Sequence, residues 1–162
     1  MGVQLKHNIS RFNFISYLLI NFAVVQNLSL LATAGTTILT SHNYYNIDKE
    51  IVGAFTGDLN FYTEIYQIAC EVLVGSFHDL FGRRIMILSG YLFIGFGLFL
   101  YPYSGSVYPW LFLVRLCLAQ GFTHLIINPL VNDYVTDQTK GIATAYGAVA
   151  GGIGAIFSML FL

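Results

Sequence analysis

The stretch Gly75-Ser76-Phe77-His78-Asp79-Leu80-Phe81-Gly82-Arg83-Arg84 decides how the rest of the chain is read. An apolar run that begins near Leu59 leads into it, and another that begins at Ile85 leads out. Between them stand one acid, a turn glycine and two arginines, with no room for a soluble domain. The pattern predicts a tight hairpin between two membrane helices, with its charge at one membrane face. Gly82 permits the backbone geometry of a tight turn. Gly75 would let a neighbouring helix approach the end of the incoming span, and Asp79 can cap or pair at a helix end. Arg83 and Arg84 suit anionic headgroups and resist translocation.

Composition sets the class. The 162 residues are 56% hydrophobic and only 9% charged, with a mean hydropathy of +0.69. A soluble domain carries about 25% charged residues, so most of this surface must face something other than water. A multi-pass, all-α integral membrane protein in a lipid bilayer is expected. The net charge is −1 and no basic run is present, so no nucleic-acid partner is implied. Cys70 and Cys117 both fall in apolar stretches without metal-ligand spacing, which suits burial as small apolar side chains. Neither a metal nor another cofactor is expected, and no Ser/His/Asp arrangement suggests an enzyme.

Working outward from the hairpin gives five apolar runs, at about 14–39, 59–77, 85–102, 107–131 and 141–162. Crossing a hydrocarbon core of about 30 Å takes roughly 20 residues. Residues 1–13 form a short polar lead, and 14–162 a transmembrane domain. Ala32-Thr33-Ala34 resembles a signal-peptidase site, but the run before it is long and holds Asn21, Gln26 and Asn27, so a retained first span is expected. Met1-Gly2 is not read as a myristoylation signal, because position 6 is Lys. Lys6, Arg11, Arg83, Arg84 and Lys140 lie in the lead and in the second-to-third and fourth-to-fifth loops, against Lys49 alone in the other loops. That bias places the lead and the hairpin in the cytoplasm. Tyr101, Tyr103, Tyr108 and Trp110 then fall at the outer interface, and the sequon Asn8-Ile9-Ser10 faces the cytoplasm.

Polar residues inside the runs are candidates for function, since ionisable groups in a bilayer are costly. Glu64, Gln67, Glu71, Gly75 and His78 follow at steps of 3, 4, 4 and 3, which places them on one helix face. Glu71 lies roughly 10 Å from the cytoplasmic end. It reads either as a protonatable or substrate-pairing carboxylate or as a structural partner for a cation. Arg115, the one basic residue deep in a run, is expected roughly 12 Å below the outer end of its helix, paired with Glu64 or Glu71 and lining a central cavity. Gln120, His124 and Asn128 form a second stripe pointing away from Arg115, and His124 is expected at a helix contact. Ala143, Gly147, Gly151, Gly154 and Ser158 make a small-residue face for close helix packing.

The spacing of Gly75, Asp79, Gly82, Arg83 and Arg84 resembles the signature loop between the second and third helices of the major facilitator superfamily. Two weaker likenesses accompany it. An arginine in the fourth span followed by Gln-Gly is similar to a superfamily pattern tied to proton coupling, but Gln120-Gly121 follow Arg115 by five and six residues instead of three and four. The stretch Asp133 to Gly141, an acid and then a basic residue and glycine opening a span, resembles the corresponding loop.

The resemblance implies the first five of twelve helices of a secondary carrier. Such a carrier moves a small solute by rocking two six-helix halves. It also implies that Asp79 and the arginines act as a conformational latch, an alternative to a purely topological loop. The latch's partner would lie in the missing C-terminal half or in a partner subunit. The other reading is a degenerate relative that serves as a structural subunit of a larger membrane complex.

Overall fold

The computed structural model describes residues 2–125 and 128–160. Six α-helices make up the architecture: α1 (Arg11–Thr40), α2 (Val52–Phe81), α3 (Arg83–Leu100), α4 (Phe112–His124), α5 (Asn128–Tyr134) and α6 (Lys140–Leu160). Among the described residues the only β pairing is an isolated bridge between Leu5 and Val135. The expected all-α class stands, and the hairpin stands with it. Gly82 separates α2 from α3 at φ +83° and ψ 146°, a conformation that a residue with a Cβ rarely adopts.

Among the described residues, three segments are long and apolar enough to cross a membrane: Arg11–Thr40, Arg83–Tyr103 and Asp137–Leu160. They contain the first and third expected runs and the described part, 141–160, of the fifth. The 30-residue α2 is not among them, because Asp58, Glu64, Glu71 and Asp79 dilute its hydropathy. The fourth run, expected as one span over 107–131, is divided. A five-residue π turn, Val107–Leu111, precedes α4, and α4 stops after 13 residues at His124. Thirteen residues rise only about 20 Å. The chain resumes as α5, with Pro129 in the first turn, where a residue without N–H breaks no helix bond. Residues 126–127 of this run and 161–162 of the fifth lie outside the described residues.

The chain forms two compact units. One comprises residues up to Gly35 together with the C-terminal segment through α6; the other runs from Thr36 to Leu125. In the first unit, α1 and α6 run parallel: Tyr17 meets Gly147, and further along both helices Phe22 and Val25 meet Gly154 and Gly151. The expected small-residue face is the buried one: Ala143, Gly147, Gly151, Gly154 and Ser158 point inward, whereas Val149, Ile153, Ile156 and Leu160 point outward. With bulk outside and glycine inside, close backbone approach and dispersion replace a large-side-chain core. Residues 4–6 pair with the segment after α5. The Lys6 N–H donates to Tyr134 O and the Thr136 N–H to Gln4 O, each at 3.0 Å. Lys6 Nζ donates to Asn132 O at 2.6 Å.

In the second unit, α3 and α4 cross antiparallel through glycine. Gly90 faces Gly121 and His124, and Gly97 faces Leu118. The outward face of α3, with Ile85, Leu88, Leu92, Phe96 and Phe99, is again apolar. α2 and α4 run parallel: Asn60 bonds Arg115, Tyr66 bonds Gln120, and His78 bonds the backbone of His124. At the other end of the unit, the Tyr45 hydroxyl donates to Ser104 O at 2.5 Å and ties the α1–α2 connection to the α3–α4 connection.

Candidate functional site

The second unit holds a chain of hydrogen bonds that crosses three helices. The Tyr66 hydroxyl on α2 donates to Gln120 Oε1 on α4 at 2.8 Å. That leaves the Gln120 amide nitrogen to donate to His124 Nε2 at 2.7 Å. His124 must then carry its proton on Nδ1, which donates to Ser89 Oγ on α3 at 2.8 Å. Ser89 passes its own proton to Met86 O at 2.7 Å. Every donor points the same way along the chain. The geometry follows from helix periodicity, since Gln120 and His124 are one turn apart on one face of α4. The ring of Phe93 closes against His124 edge-on, with centroids 5.5 Å apart.

His78 extends this cluster. It is buried at the end of α2, and its Nε2 donates to His124 O at 3.1 Å. That carbonyl is one of the last in α4, which a continuing helix would have used internally. The interruption of α4 therefore supplies the acceptor. His78 Nδ1 is buried without a hydrogen-bond partner.

Arg115 is paired differently from expectation. The π turn Val107–Leu111 runs directly into α4, which places Arg115 about two turns into the helical stretch. Its guanidinium bonds neither Glu64 nor Glu71; Nη2 donates to Asn60 Oδ1 at 2.5 Å, and Nε is buried without a partner. Glu64 and Glu71 are exposed on α2, and Gln67 is half-buried. The sequence stripe of five is thus split, with only His78 fully buried. Arg115 and Gln120 both reach α2, at different levels, although the sequence put them on diverging faces of α4.

In the hairpin, Gly75 and Asp79 are exposed. A Cβ on Gly75 would meet nothing within 4 Å, so the expected close helix approach is not made there. It occurs instead at Gly90, Gly97 and Gly121. Arg83 and Arg84 open α3 with no side-chain cap at its start. Asn128, the last member of the second stripe, has its side chain outside the described atoms.

No family model matches the chain, and no curated protein or solved structure matches it. The site therefore stands on its own geometry. A cavity of about 550 Å³ opens where α3 gives way to α4, lined by Leu100, Tyr103, Ser104, Ser106, Trp110 and Val114 among others. None of the residues expected to carry chemistry lines it. Among the described residues no group of three His, Cys, Asp or Glu converges to hold a metal. Tyr66, Ser89 and Asn60 are the site residues that sequence reasoning missed. Each is an ordinary polar residue within an apolar run, with no motif to single it out.

Proposed function

We propose that this chain is part of a major-facilitator-type secondary carrier that moves a small solute by alternating access, with a second half or a partner subunit completing the path. The observation that carries this reading is the coincidence at His124. The helix stops there, its freed carbonyl takes His78, and its ring joins Gln120 to Ser89. Broken helices with polar groups gathered at the break are where secondary transporters bind solutes and ions. Helix directions support it too. Strict alternation over five crossings requires the first and fifth to be parallel, the second and fourth parallel, and the third antiparallel to the fourth. Those are the directions found within each unit. In this reading α2 and the α4–α5 segment cross together despite their polar content, and the Gly75–Arg84 hairpin is the cytoplasmic latch.

A structural-subunit reading draws on one fact: both ring nitrogens of His124 are already bonded, as in a helix-contact residue. Reconstitution separates the two. The full-length protein in liposomes should take up at least one of radiolabelled phosphate, succinate, glucose or choline above protein-free vesicles. Uptake at the empty-vesicle level for all four, with the chain migrating in a larger complex on native gels, would overturn the carrier reading.

A further inference from the structure

We propose that Arg115, held by Asn60, is the seat of an oxyanion site that takes the carboxylate or phosphate group of a soluble solute. The proposal deepens the carrier reading by naming the class of its substrate. It rests on charge accounting around one side chain. The guanidinium carries five donors and a permanent charge. Its Nη2 is satisfied by a neutral amide oxygen, and its Nε is buried with nothing to receive its proton. The ionisable groups that bear on it are the hydroxyls of Tyr101 and Tyr108, not carboxylates. Among the described interactions no carboxylate pairs with it, and Glu64 and Glu71 are exposed on α2.

A half-buried cation in a protein is normally paired, because leaving it unpaired is costly. Here no carboxylate is among the groups that bear on it, so an anion from outside the chain would complete the pairing. Asn60 fits this role well. An aspartate at that position would neutralise Arg115 permanently, whereas an amide orients the guanidinium and leaves its charge available. The fork of N–H groups matches a carboxylate or phosphate face, two donors to two oxygens.

The single tryptophan, Trp110, lies five residues before Arg115 and reports on the site by fluorescence. The full chain in phosphatidylcholine nanodiscs is titrated with inorganic phosphate and with succinate at constant ionic strength, and with glucose and choline as controls. At least one of the two anions should give a saturable change, and the controls none. Arg115→Gln should weaken that response at least tenfold, and Arg115→Lys should weaken it less. Asn60→Asp should abolish it while keeping or raising thermal stability, so a poorly folding Arg115→Gln does not decide the matter. An unaltered response in Asn60→Asp, an equal response to glucose or choline, or silence to both anions would overturn the site. Phosphatidylglycerol nanodiscs distinguish the source of the anion. If that lipid produces the change and neither free anion does in phosphatidylcholine, the occupant is a headgroup and the soluble-solute proposal fails. Anion binding without uptake would sink the carrier reading and keep the site; uptake of a neutral solute without anion binding would do the reverse.

Discussion

A single added methyl group separates the glycines of this chain into two kinds. At Gly121 a Cβ would stand 2.7 Å from Ile94 Cγ1 and 2.8 Å from the Gly90 oxygen, where α3 and α4 touch backbone to backbone. At Gly95, one turn along α3 from Tyr91, it would meet nothing within 4 Å. Gly121→Ala should therefore cost about 1–3 kcal/mol through overpacking, and Gly95→Ala should be neutral or stabilising by up to ~1 kcal/mol through helix propensity. Unfolding titrations in mixed micelles measure both; equal costs would mean that α3 and α4 do not cross where described. Gly75→Ala is a third case. With open space around it, stability should not fall, so a loss of uptake in that variant would assign Gly75 to a conformation other than this one. The sequence assigned Gly82 to turn geometry and Gly75 to close approach. Gly82 does take a positive φ, whereas no side chain or backbone approaches Gly75 here, because a partner helix leaves no trace in the helix that it meets.

Helices α1, α3 and α6 were legible because long apolar runs admit few alternatives to a helix in lipid. The outward and inward faces of α6 were legible as well, since Gly147, Gly151 and Gly154 repeat at helical spacing. The interruption after His124 was not. Pro129 marked a boundary, but hydropathy stays high across it and hides the stop. Missing the stop also hid the acceptor at His124 O, and with it the reason His78 is buried. Gln120 and His124 were visible as a pair, while their partners Tyr66 and Ser89 were not, because a hydrogen bond between helices leaves no trace in either helix alone. His124→Leu removes the centre of this chain and strands Gln120 and Ser89. It should lower stability by about 1–3 kcal/mol, and Ser89→Ala should by itself cost about 1 kcal/mol or less. If Ser89→Ala costs as much as His124→Leu, the bonds do not act as one chain.

Across the whole molecule, loop charge and loop contact agree. The basic lead meets α5 through Lys6 and Asn132 and the segment after it through Gln4 and Thr136, and the α1–α2 and α3–α4 connections meet through Tyr45 and Ser104. Both pairings join loops that the charge bias assigns to one side. In a chain with Cys70 and Cys117 replaced by Ser, Ser106→Cys should react with an impermeant maleimide on intact cells. Gln138→Cys should react only after permeabilisation; the opposite pattern would reverse the assigned orientation. The bonds of residues 4–6 carry a further consequence, one of timing. Gln4 and Thr139 are partners 135 positions apart, and at roughly 5–20 residues per second the second is made on the order of ten seconds after the first. For that interval the leading backbone has a vacant pairing edge while four-fifths of the chain is still being laid into the membrane. Whatever holds that edge in the meantime, whether ribosome surface, insertion machinery or a fused tag, competes with residues 134–139 for it and so governs whether α6 finds its place.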